Sequence, residues 1–177
     1  MAHYQQRIFV EFTKSRWPEY FQNRKVIEIG SLDINGTVSD LFQNCAYLGV
    51  DVGLGKGVNL VSEGQNLNFA DNSFDVAISV ECFEHNPHWL ETFTNMHRMA
   101  ESLVIFTCAS TGRPEHGTTR TDAYSSPLTE EWNYYKNLDQ SDFSSNLPLA
   151  EMFSSHEFIY NAVTCDLYFW GFKAKNK

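Results

Sequence analysis

The chain is punctuated by short apolar runs separated by polar, glycine-bearing breaks. Five of them, "KVIEIG", "AYLGVD", "VNLVS", "FDVAISV" and "SLVIFTC", occupy residues 25 to 108 and lack polar alternation. Runs of that kind suit strands buried on both faces, which predicts a parallel sheet. Two further runs near the end, "EFIYNAV" and "DLYFWGFKAK", are β-rich and separated by a couple of residues. So short a link cannot cross over a sheet, and an antiparallel hairpin follows. Tyr4, Ile8, Phe12 and Ser15 fall at helical spacing until Trp17-Pro18 interrupts them, predicting an amphipathic helix before the first strand. A second helix is expected between the fourth and fifth runs. Asn86 would be its N-cap, Pro87 its first position, and Trp89, Phe93, Met96 and Ala100 its buried face. The links at 52–57 and 63–73 are too short for full helices, so the architecture is pared down.

Residues 110 to 147 have a different composition, dominated by Ser, Thr, Gly, Pro and charge, with one short helix expected over Thr129 to Lys136. A long irregular segment inside a compact domain usually has a functional use, here as a lid or substrate segment. At 177 residues the chain is expected to form one domain spanning 1–177. Its 13 basic and 22 acidic residues give a net charge of −9, which disfavours nucleic acid as a partner. No apolar run approaches the ~20 residues a membrane helix needs, and the first residues lack a signal-peptide core. A cytoplasmic protein with no membrane partner is expected. Cys45, Cys82, Cys108 and Cys165 show no close spacing, which reads as reduced thiols and gives no sign of a metal. Nothing in the sequence sets the oligomeric state.

The stretch "KVIEIGSLDINGT" ends an apolar strand at a glycine, where open α/β sheets hold ligands. Gly30 and Gly36 are six residues apart with no G-x-G between them, so the dinucleotide fingerprint is missing and a nicotinamide oxidoreductase is disfavoured. Thr37 with Asp40 resembles a capping box, which predicts a helix starting at Thr37 and leaves "SLDIN" free to line a pocket. Asp51 closes the second strand 21 residues after Gly30. At that spacing a carboxylate can accept both hydroxyls of a ribose; the plainer reading is an exposed strand-end acid.

In this order, "VIEIGSLDING", "YLGVDVGLGKGVNLV" and "LNFADNSFDVAISVECFEH" resemble the class I S-adenosylmethionine-dependent methyltransferases, in particular the type 11-like small-molecule enzymes. The resemblance implies an α/β, Rossmann-like, mostly parallel seven-stranded sheet with a reversed C-terminal strand and helices on both faces. It implies S-adenosylmethionine as cofactor and a small-molecule methyl acceptor as partner. On the matching positions, Glu28, Gly30 and Ser31 would meet the methionine end, Asp51 the ribose, and Glu63 and Gly64 the adenine, while Glu81 would flank the cofactor. His85 and His116 become candidate bases, and Arg113, Arg120 and Tyr135 candidate substrate contacts; a backbone-bonded His85, a solvated loop and an aromatic packed in the core are the competing readings. Two departures stand out: the usual G-x-G is absent, and "MAES" replaces the Pro-Gly-Gly turn before the fifth strand. A cofactor-binding sensor or partner domain that does not catalyse is the alternative function.

Overall fold

The computed structural model describes residues 3–175. All seven expected strands form: β1 (Lys25–Ile29), β2 (Ala46–Asp51), β3 (Leu60–Val61), β4 (Phe74–Val80), β5 (Ala100–Ala109), β6 (Phe153–Asn161) and β7 (Asp166–Lys173). They make one sheet in the order β3-β2-β1-β4-β5-β7-β6. β1 pairs in parallel with β2 and β4, and β4 with β5, whereas β7 runs antiparallel to both β5 and β6. The closing hairpin is thus as expected, and β7 is the reversed strand.

Alternate residues of the central strands feed two cores, as the period of two requires. Val26, Val76, Ile78, Leu103, Ile105, Tyr168 and Trp170 face one side, where Phe9 and Val10 of α1 (Tyr4–Arg16) cover them. Ile27, Ala77, Val104, Phe106 and Phe169 face the other. There Phe93, Met96 and Met99 of α2 (Trp89–Met99) pack with Phe143 of α3 (Gln140–Ser144) and Leu149 of α4 (Leu149–Met152). Both faces are covered, which is why these strands read as unbroken apolar runs. No helix among the described residues is long and apolar enough to cross a membrane.

Four local expectations are corrected. α1 buries Gln6, Phe9, Val10 and Thr13, not the Tyr4–Ile8–Phe12 stripe, which is exposed. Phe9 stacks on Tyr168 at 4.7 Å between ring centroids, and this contact sets the inward face. No helix starts at Thr37: only a single 3-10 turn, Ser39–Leu41, forms. Arg7 takes the Asp40 carboxylate at 2.7 and 2.8 Å, so it cannot reach back to close a capping box. The N-cap of α2 is His88, because Asn86 Oδ1 accepts from the His88 amide and closes a turn over residues 86–89 before the helix begins. Ala100 begins β5. Finally, residues 129–136 are irregular and the helix of that segment is α3, capped by Asp139, whose Oδ1 accepts from Ser141 N.

Candidate active site

The carboxyl ends of β1, β2 and β4 converge on one cleft. β1 ends at Gly30 with φ +82°, where a Cβ would stand 2.5 Å from Cys82 Cβ; only glycine fits there. Gly30 N and Ser31 N both donate to Val50 O, at 2.9 and 3.1 Å, which folds the loop back over β2. Directly after β4 stands Glu81 with φ +50°, an uncommon value for a residue with a Cβ, and both Glu81 and Cys82 line the cleft. Burial pushes the Cys82 thiol up to about 12.

Asp51 is fixed by two backbone donors: Leu32 N to Oδ2 at 2.9 Å and Val52 N to Oδ1 at 2.8 Å. Burial raises its pKa from the ordinary aspartate value, and the two amides pull it back. A carboxylate offers about four lone-pair sites, so each oxygen retains one toward the cleft. Beside Asp51, Val52, Ser62, Gly64, Asn86 and Trp132 line an adjoining recess.

On the opposite side His85 enters from the turn after β4. Burial, then the neighbouring His116, pushes His85 down to about 3, so its ring is neutral at working pH. Its edge lies against Gly117, where an added Cβ would come 2.6 Å from His85 Cε1. The His85 and His116 rings are 5.0 Å apart and nearly perpendicular, and the Tyr135 ring is 5.5 and 5.1 Å from them. His116 Nδ1 is 3.2 Å from Pro114 O, to which Tyr135 Oη also donates at 3.1 Å. Glu84 is fully buried beneath this group. Burial drives its pKa up, while His116 and the backbone at Glu84 and Ala109 pull the other way.

Other sequence-selected residues stand further off. Glu28 is buried and turned to Tyr47, whose Oη donates to Oε2 at 2.8 Å; the two clefts do not include it. Desolvation lifts it to about 7. The Glu63 carboxylate is engaged by Gln65 Nε2 and Asn66 Nδ2 at 2.7 and 2.9 Å, while neighbouring Gly64 lines the recess. Arg113 donates to Asp166 Oδ1 at 2.8 Å and Thr164 O at 2.9 Å and lies 3.7 Å from Glu81. Much of its donor capacity is thereby committed, although it still borders an opening with His3, Glu81 and His116. Arg120 pairs with Glu115 at 2.7 Å on the surface. Ser31 is buried under the loop.

Within the segment read as a lid or substrate segment, residues 125–129 and Trp132 line the Gly30–Asp51 cleft and its recess, whereas the sequence places the cover over the acceptor. Leu128 reaches Gly53, with a methyl 2.7 Å from where a Cβ would stand. Under this cover the cleft retains about 40 Å³ and the recess about 30 Å³, room for a few waters. Leu128 is the sole leucine between residues 104 and 137, and a single leucine in a polar segment was the available signal.

Residues 19–107 match the family model described as a methyltransferase domain, half of the chain, and the protein belongs to that family. No curated protein matches it. Among solved structures it is similar to phosphoethanolamine N-methyltransferase 2 of Haemonchus contortus, solved with phosphomonomethylethanolamine and S-adenosylhomocysteine. That match has 12% identity and a TM-score of 0.66, covering 97% of this chain and 53% of the other. It is also similar to the 1,6-didemethyltoxoflavin-N1-methyltransferase of Burkholderia thailandensis, solved with its substrate and S-adenosylhomocysteine. There the identity is 14% and the TM-score 0.60, with 93% and 76% covered. The YcgJ protein of Bacillus subtilis gives 9% identity and a TM-score of 0.61 over 98% and 100% of the two chains. The chain spans 65% and 52% of the length of two other methyltransferase structures it matches. At these identities the likeness establishes the fold, a seven-stranded Rossmann-like sheet with a reversed strand.

Proposed function

We propose that the protein transfers a methyl group from S-adenosylmethionine to a small-molecule acceptor. The observation that carries this reading is the Asp51 carboxylate, oriented by the amides of Leu32 and Val52 and facing the cleft that Gly30 opens. Its remaining lone pairs suit the two hydroxyls of a ribose. The side-chain-free edge at Gly30, with Ser31 behind it, would hold the methionine end, and the Val52–Gly64–Trp132 recess the adenine. When bound, the cofactor supplies an electrophilic methyl on a sulfonium. The chain's own part is to position and desolvate: the cover over residues 125–132 excludes water, and Glu81 and Cys82 form the floor. His85, His116 and Tyr135 flank the acceptor side, with Arg113 at its outer opening. A neutral, buried His85 is suited to accepting a hydrogen bond from the acceptor, and His116 is the more accessible candidate base.

The charge of −9 supports a small acceptor over nucleic acid. A second reading is favoured by the cover's occupation of the cleft: a domain whose cover is displaced by the adenosyl ligand would signal without turnover. Mass spectrometry of ligand retained by the purified protein, followed by a screen for methyl release against small-molecule acceptors, tests the proposal. Retained or added cofactor with turnover of an acceptor supports methyl transfer; cofactor binding with no turnover supports the sensor.

A further inference from the structure

Glu84 is fully buried, with the backbone at Glu84 and Ala109 near its carboxylate but neither oxygen in a hydrogen bond of good geometry and, among the described residues, no ion pair. An ionised carboxylate left that way is costly; it is relieved by taking up a proton or by a cation held beside it. Two imidazoles face it. His85 is also buried, with Nδ1 unpartnered. His116 comes from the opposite segment, with Nδ1 against Pro114 O, an arrangement that leaves Nε2 as the lone-pair nitrogen. One ligand atom from each of Glu84, His85 and His116 lies within 4.8 Å of the others.

We propose that Glu84, His85 and His116 form a binding site for one divalent transition-metal ion at the acceptor side of the cleft. Two imidazoles and one carboxylate are a ligand set for Zn²⁺, Fe²⁺, Mn²⁺ or Co²⁺, and they leave coordination positions open. Ligand atoms about 2.0–2.2 Å from a common ion lie at most about 4.4 Å apart, so side-chain rotations of under an ångström or two close the set. His116 lies on the loop after β5, outside any helix or strand. A second carboxylate–imidazole cluster, His3, Glu81 and Asp166, does not qualify, since Arg113 already pairs with Asp166 at 2.8 Å.

The open positions would face the space between His85 and the opening at Arg113. They would take an oxygen ligand, which selects acceptors bearing a hydroxyl. Binding to the ion lowers that hydroxyl's pKa and lets its proton pass to solvent, so neither imidazole needs to serve as the base. The acceptor class rests on the proposed methyl transfer; the ion site does not.

The test is calorimetric titration of the metal-stripped full chain with Co²⁺ and with Mn²⁺, with visible absorption following Co²⁺. One ion per chain is expected, bound at least tenfold more weakly by His116→Ala and by Glu84→Gln. The buried Glu84 substitution is checked by circular dichroism, and the partly exposed His116 variant stands if Glu84→Gln fails to fold. No binding, or equal affinity in wild type and His116→Ala, overturns the site. S-adenosylmethionine is titrated into the same samples: ion binding without cofactor binding defeats the methyl-transfer reading and leaves the ion site standing, and the reverse result defeats the ion site alone.

Discussion

The Cys82 side chain fills the space that a Cβ on Gly30 would need, 2.5 Å from its own Cβ. The ends of β1 and β4 are therefore locked together where the cleft floor forms. Gly30→Ala adds a left-handed strain of about 1–2 kcal/mol to an overpacking cost of similar size. A loss of at least about 2 kcal/mol in urea unfolding is expected, and replacing Cys82 by glycine in the same chain should recover part of it. Unchanged stability in Gly30→Ala would contradict this packing.

Glu28 gives the fold a pH dependence of definite sign. Its acid is lifted from 4.5 to about 7 in the folded state by burial, with the Tyr47 hydrogen bond opposing and Asp51 and Asp33 adding repulsion. The folded chain then holds a proton that the unfolded chain has released. Stability from this group is full below pH 4.5 and drains away as pH rises to about 7, by up to about 3 kcal/mol. Glu28→Gln keeps an acceptor for Tyr47 and should flatten the decline in denaturant midpoints across that window. A variant with the wild-type slope would assign the decline to other groups.

Leu128 lines the cleft proposed for the adenosyl ligand and would compete with it for that space. Removing the Leu128–Gly53 contact weakens the closed cover by about 1 kcal/mol, so Leu128→Ala should bind S-adenosylmethionine about fivefold more tightly. Weaker binding would mean that the cover clamps the ligand instead of competing with it.

His85→Ala and His116→Ala should each lower turnover by roughly a hundredfold with cofactor affinity nearly unchanged, because the two rings, 5.0 Å apart, flank the proposed acceptor side. Steady-state kinetics with a working acceptor separates roles: a raised KM alone marks positioning, a lowered kcat marks a part in the chemistry. Full activity in both variants would remove these residues from the mechanism.

The strands were legible because both faces of the sheet are covered, so their apolar runs carry no polar interruption, and the short link at 162–165 left β6 and β7 no arrangement but a hairpin. What sequence could not supply depends on partners far along the chain. Asp40 answers to Arg7, 33 residues away, and so no helix starts at Thr37. α1 carries apolar residues on two stripes, and only the stacking of Phe9 on Tyr168 decides between them. Asp51 and Gly30 could be selected by spacing, and His85 and His116 as histidines that follow the carboxyl ends of parallel strands, whereas the burial of Glu84 beside both imidazoles depends on the folded loop after β5. Glu28 sits in the same motif as Gly30, yet strand alternation sends its side chain to Tyr47 instead of the cleft.

The central claim is that Asp51 holds the ribose of S-adenosylmethionine in the cleft below Gly30. Calorimetric titration of S-adenosylmethionine into wild type and Asp51→Ala tests it most directly. Loss of two charge-assisted hydrogen bonds, each worth about 1.5–3 kcal/mol, predicts one ligand per wild-type chain and at least tenfold weaker binding in the variant. Equal affinity in the two proteins, or no binding by a folded wild type, would contradict the account.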